Sequence, residues 1–240
     1  MLFVGDSVVY GSAARYDKDT IPSYYASTLE QKGLENTHVY DLSLSGCSFT
    51  DTYEILRFVL PSRPDFVIYD LNVAWFDAKG RSHSALSKLN DPVARENDKP
   101  VRIIFGEHLY IRWDKKDWDN LAGFPVKLGD YNYSQDNEQW QAYLKISALF
   151  KQYPDTQVLM FLPPRNYALY SRYNMIDQPL YLEKTAFITK HLPPNVTCVD
   201  YTWKVESQYF SDIIHMLPQG NKQTAELIFN DYWKQRLIKS

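Results

Sequence analysis

A serine hydroxyl becomes a nucleophile when a base takes its proton and a third group holds that base in place. Residues able to do this stand near the two ends of the chain. Gly5-Asp6-Ser7-Val8-Val9-Tyr10-Gly11 follows directly on the apolar run Leu2-Phe3-Val4. A strand ending at a glycine can turn sharply and lift the next hydroxyl out of a sheet, and Gly11 permits a second tight turn. Near the C-terminus comes Asp212-Ile213-Ile214-His215. That spacing puts both polar side chains on one face of a helical turn, so that Asp212 can hold Nδ1–H of His215 and leave Nε2 facing Ser7. Such a trio performs acyl transfer from an ester, with the acyl group carried on the serine. Read alone, Ser7 is equally an ordinary turn or capping serine, and Asp6 a residue whose carboxylate shapes the turn by binding backbone amides.

For these residues to meet, the chain must bring several strand ends to one edge. Short β-type runs at Leu2–Val4, His38–Leu44, Phe66–Leu71, Val158–Leu162 and Val196–Val199 alternate with helical stretches. That alternation predicts five parallel strands with helices on both faces. The helices are expected near Ser23–Lys32, Asp51–Leu60, Glu138–Gln152, Leu180–His191 and Gln219–Ile238. In the third, Trp140, Tyr143, Leu144, Ile146, Leu149 and Phe150 recur at spacings of three and four and mark a core-facing side.

From Asp77 to Asp136 the rhythm breaks, with one apolar island at Val101–Phe105. Sixty residues is far longer than an ordinary connection between a strand and a helix. The expectation is an insertion leaving the sheet after the third strand, on the side where ligands bind to parallel sheets, with a surface excursion as the alternative. At 240 residues the chain is otherwise read as one domain, 1–240. A net charge of −3 gives no electrostatic footprint for nucleic acid. The 19 Tyr, 12 Phe and 6 Trp suit contact with sugars or acyl groups, or core packing. Cys47 and Cys198 are too few for a disulfide framework, and a single bridge would need neighbouring positions and an oxidising compartment. His38, His83, His108 and His191 show no ligand spacing, so neither metal nor cofactor is expected. The first strand begins at residue 2, which points to an upstream segment or membrane anchor and an extracytoplasmic or cell-envelope setting.

The four polar blocks resemble those of the SGNH or GDSL-type hydrolase superfamily. Gly5-Asp6-Ser7 with Gly11 matches the first block and implies Ser7 as nucleophile. Asp41-Leu42-Ser43-Leu44-Ser45-Gly46 matches the second and implies the Gly46 amide as an oxyanion donor beside the Ser7 amide. Asp70-Leu71-Asn72-Val73 matches the third in part. Asn72 stands where a side-chain oxyanion donor is expected, while Asp70 and Val73 replace the usual glycine and acidic residue. Asp212-Ile213-Ile214-His215, followed by Gly220 and a C-terminal helix, matches the fourth.

The resemblance implies a flavodoxin-like three-layer α/β/α sandwich with a Ser7–His215–Asp212 triad and a Ser7, Gly46 and Asn72 oxyanion hole. It implies a small acyl ester, such as an acetylated glycan, as substrate. Two alternatives stay open: an O-acyltransferase acting on a cell-envelope polysaccharide with the same residues, and a non-catalytic binding module on this scaffold.

Overall fold

In the computed structural model, residues 1–34, 36–76, 118 and 127–239 are described, with the backbone alone for 233–239. The strands are β1 (Leu2–Val4), β2 (Tyr40–Asp41), β3 (Phe66–Asp70), β4 (Gln157–Leu162) and β5 (Val196–Asp200). They form one parallel sheet in the order β2-β1-β3-β4-β5. This is the flavodoxin-like order, in which the sheet reverses direction of growth between β1 and β3. Although β2 is short, its parallel ladder runs on. Tyr40, Leu42 and Leu44 donate in turn to the carbonyls of Met1, Phe3 and Gly5, which accounts for the longer His38–Leu44 expectation.

The helices are α1 (Ile21–Gln31), α2 (Phe49–Val59), α3 (Glu138–Gln152), α4 (Tyr167–Arg172), α5 (Gln178–Thr189) and α6 (Pro218–Lys239). One face of the sheet carries α1 against α6, and the other carries α2 against α3, with α5 beside α3. The central strands β1, β3 and β4 are buried but for the first residue of β1 and of β4, and β3 is buried along its whole length. Such continuous apolar runs are what a parallel sheet covered on both faces requires.

Caps explain where the helices start. Thr20 accepts from Ser23 N and Pro22 stands in the first turn of α1, so the helix begins two residues before Ser23. Ser48 and Asp51 exchange side-chain and backbone hydrogen bonds in a capping box, which starts α2 at Phe49. Asp177 caps α5 by accepting from Leu180 N. The six-residue α4, capped by Asn166, is absent from the sequence expectations because one and a half turns are too short to show a periodicity.

Several of the aromatic residues pack against one another. Phe49 stacks on Phe76 at 4.4 Å, and Phe76 meets Trp140 and Tyr143 edge-on. Trp140 stacks on Tyr143 at 5.3 Å within α3, and Tyr143 meets Phe49 of α2 edge-on at 6.0 Å, which joins the two helices. The buried side chain of Gln139 accepts from the first amide of α2 at 2.9 Å. Cys47 and Cys198 are both free thiols. Burial pushes both up, Cys198 to about 12, so neither is poised to react.

Of the expected insertion at 77–136, residues 77–117 and 119–126 lie outside the described residues. Its two ends meet: Asn132 N donates to Phe76 O at 2.7 Å. Leu128 then bridges Ile176, and Asn137 caps α3.

Asn195 sits before β5 and donates its side-chain amide to the carbonyls of Phe150, Tyr153 and Thr156. It closes the end of α3 onto the sheet. Asn195→Ala leaves those carbonyls without their donor and should cost about 1–3 kcal/mol in urea unfolding. Activity per folded molecule should not change, because the residue lies at the start of its strand rather than at the C-terminal edge.

Candidate active site

The C-terminal ends of β1, β3 and β4 lie side by side, and the residues beyond them converge. After β1 the chain winds into consecutive tight turns, with Tyr10 N donating to Asp6 O and Ser12 N to Ser7 O. Asp6 Oδ1 accepts from Val8 N at 2.9 Å and so shapes the turn that presents Ser7. Gly11 closes it at φ +75, where a Cβ would come within 2.8 Å of Thr20. Ser12 Oγ donates to Ser45 Oγ at 3.3 Å, tying this turn to the loop that carries Gly46.

Ser7 Oγ lies 2.8 Å from His215 Nε2, and His215 Nδ1 lies 2.7 Å from Asp212 Oδ2. Asp212 is a carboxylate: burial pushes it up, but attraction to His215, the hydrogen bond from that ring and the amides of Ile214 and His215 together hold it below its ordinary range. A carboxylate can only accept, so Nδ1 carries the hydrogen, Nε2 is the acceptor, and the Ser7 hydroxyl donates. The three groups form an unbroken chain along which a proton can leave Ser7.

The expected helical turn around Asp212 and His215 is not there. Residues 211–214 form a bend ahead of α6, and Asp212 Oδ1 makes the turn itself by accepting from Ile214 N and His215 N. The same carboxylate thus bends the backbone with one oxygen and holds the imidazole with the other, which requires a loop. The bend is pinned from outside. Asn166 donates to Ile213 O and, through its side chain, to Asp212 O, while Trp118 donates its indole N–H to Phe210 O. Gly220 lets α6 start against this loop, since a Cβ there would fall 2.8 Å from Tyr209 O.

Gly46 stands at φ +78 in a tight turn closed by Cys47 N to Leu44 O. Among the described residues, no acceptor takes the amide of Gly46 or that of Ser7. The third block is more elaborate than the sequence suggested. Asn72 Nδ2 donates to Asp6 Oδ2 at 2.5 Å, while Asn72 Oδ1 accepts from Arg165 Nη2 at 2.5 Å and from Ala74 N at 3.2 Å. Trp75 donates its indole N–H to the same Asp6 oxygen.

Asp70, standing where the family pattern has glycine, presses its carboxyl against that of Asp6; the bare Cα of Gly5 makes room, because a Cβ there would lie 3.0 Å from Asp70 Cγ. Burial, and then the charge of Asp6, push Asp70 well above the ordinary carboxylate range. Asp70 Oδ2 has no donor within reach. In its neutral form Asp70 spares the site a second buried negative charge beside Asp6.

Arg165, Asn166 and Trp75 are polar residues at this edge that the sequence left unmarked, and Asp70 was read only as a departure within the third block. Asp70 and Trp75 flank Asn72 in the chain, and Arg165-Asn166 directly follows the Pro163-Pro164 stop after β4, the one local signal that pointed to the edge.

The fold is similar to several solved esterases and lipases. An acetyl xylan esterase is 13% identical, with a TM-score of 0.56 over 96% of this chain and 99% of that one. A lipase from a goat rumen metagenome is 12% identical, with a TM-score of 0.53 over 95% of each chain. A lipase/acylhydrolase from Enterococcus faecalis is 13% identical, with a TM-score of 0.52 over 96% and 93%. No family model matches the sequence, and no curated protein matches it. At such identities the likeness is one of fold, the three-layer α/β/α arrangement shared with these esterases and lipases.

The two buried aspartates have opposite pH signatures. Asp70 keeps its proton in the fold at pH values where the unfolded chain has lost it, so stability falls as pH rises above the ordinary carboxylate range. Asp212 contributes stability above that range, and the contribution is lost as pH falls through its lowered folded value. Asp70→Asn keeps the shape and a donor toward Asp6 while removing the first slope. Its melting temperature relative to the unmodified protein should therefore climb between about pH 5 and about pH 8. A constant difference would mean that Asp70 is ionised in the fold.

Proposed function

We propose that this chain, on an SGNH/GDSL hydrolase fold, is a serine-dependent esterase that hydrolyses a small, acetyl-like ester on a carbohydrate through an acyl-enzyme on Ser7. The observation that carries this is the unbroken hydrogen-bond chain from Ser7 through His215 to Asp212 at the ligand-binding edge of a parallel sheet. The sugar-borne acetyl group is supported by similarity to an acetyl xylan esterase, which also spans nearly the whole chain.

In the first step Ser7 Oγ attacks the ester carbonyl as His215 Nε2 takes its proton, and Asp212 offsets the charge on the imidazolium. The carbonyl oxygen gains negative charge and needs preorganised donors. The amides of Ser7 and Gly46, which no acceptor claims among the described residues, and the Asn72 carboxamide fill this role. His215 then gives its proton to the departing alcohol. Water, deprotonated by the same imidazole, attacks the acyl-enzyme and releases the free acid with Ser7 restored.

Ser7→Ala should abolish both labelling by a fluorophosphonate probe and turnover of p-nitrophenyl acetate. Asp212→Asn should leave the probe reactive but slow, with kcat lower by about 10³- to 10⁴-fold. Wild-type protein that neither labels nor exceeds the Ser7→Ala rate would sink the proposal. Incubation with acetylated xylan should yield free acetate; accumulation of an acetylated sugar acceptor in its place would identify an acyltransferase.

A further inference from the structure

Arg165 is buried to 2% exposure, yet among the described residues it has no ion pair; it donates to the neutral carboxamide of Asn72 and lies against the hydroxyl of Tyr170. Taking a guanidinium out of water is costly unless charge or geometry compensates, and for stability alone an apolar side chain of similar volume serves as well. Its surroundings hold it charged and in place. Tyr131, Tyr170 and Tyr181 crowd it, and the Asp6–Asp70 pair lies just beyond Asn72.

The two ends of a carboxamide have nearly the same shape, so what faces each end decides which way it points. Asp6 Oδ2, which also accepts from Trp75 Nε1, takes Nδ2, and Ala74 N meets Oδ1 at 3.2 Å, so the guanidinium is the charged member of the set that fixes the amide. Arginine has five donors and no acceptor. With Arg165 Nη2 at one end, Oδ1 must face it and Nδ2 must face the other way. There one amide hydrogen goes to Asp6, and the second is not taken by any described residue. The positive charge behind the carbonyl end also polarises the amide and strengthens its N–H donors.

We propose that Arg165 is a positioning residue for the oxyanion hole, acting through Asn72 to fix and polarise the side-chain donor. The assignment rests on the esterase proposal for Ser7 and goes beyond it, since the triad needs no arginine.

The test is a double-mutant cycle on p-nitrophenyl acetate turnover, with active sites counted by fluorophosphonate titration and folding followed by thermal melts. Asn72→Ala should lower kcat by about 10²- to 10³-fold, the usual cost of one oxyanion donor. Arg165→Met should lower kcat by roughly 10-fold or more with little change in KM, since the lost interaction is one made in the transition state. In the Asn72→Ala background, Arg165→Met should cost nothing further; with Asn72 intact, Arg165→Lys, still a cation without an acceptor, should keep most of the rate that Arg165→Met loses.

Equal losses with and without Asn72, a change confined to KM, or a loss accounted for by fewer titrated sites would each overturn the proposal. If Arg165→Met does not fold, Arg165→Gln takes its place in the cycle. Glutamine keeps hydrogen bonding but can present either end, so an unchanged kcat in that variant also overturns the assignment. Failure of the esterase proposal itself reads differently, as a Ser7→Ala protein that turns over as fast as the unmodified one.

Discussion

The site depends on the parallel pairing of β1 with β2 on one side and β3 on the other. Only three residues long, β1 has Phe3 and Val4 buried completely. Its register with β3 places Val4 opposite Tyr69, so Gly5-Asp6 leaves the sheet beside Asp70. Its ladder with β2 runs on to Leu44 N and Gly5 O, which brings the Gly46 turn alongside the Ser7 turn. Because the strands are parallel, all their C-terminal ends point one way, and polar loops from distant parts of the chain emerge together. A one-residue slip would exchange buried and outward-facing side chains throughout the strand, so the same apolar contacts that form the core also hold the site in register.

Beneath Ser7 lies a polar cluster that an apolar core would normally exclude. Asp6, Asp70, Asn72 and Arg165 are each at most 7% exposed. Four such groups are tolerable only when each satisfies another. Asp6 takes N–H donors from Val8, Asn72 and Trp75, while Arg165 meets the oxygen of Asn72. A proton on Asp70 removes one negative charge, leaving one carboxylate to balance one guanidinium. The absent Cβ of Gly5 leaves room for the Asp70 carboxyl, and the buried guanidinium of Arg165 meets the oxygen of Asn72. Together these contacts leave the Asn72 carboxamide with a defined direction.

Much of this was legible in the chain. The alternation of apolar runs and amphipathic stretches marked the five strands and five of the six helices found among the described residues, because burial on both faces of a parallel sheet leaves an unbroken apolar signature in sequence. Serine, histidine and aspartate were legible because nucleophile activation restricts the residue types that can serve. Two matters were not. The bend at Asp212 was read as a helical turn, since a spacing of three residues fits either geometry and only the carboxylate's bonds to Ile214 N and His215 N separate them. The aromatic enrichment invited a ligand reading, but spacing along a chain does not say whether Phe49, Phe76 and Trp140 face a ligand or one another.

The sequence by itself determined the strand and helix order, the position of the Ser7 turn and the residue types available for chemistry, because local turn geometry and the periodicity of burial are properties of neighbouring residues. Only the tertiary structure decided which polar groups meet. Asp6, Asn72 and Arg165 are 66 and 93 residues apart in successive pairs, and their contact depends on the register of β1, β3 and β4 rather than on any local pattern. The direction of one asparagine side chain, which no stretch of sequence encodes, follows from a guanidinium delivered by a different strand.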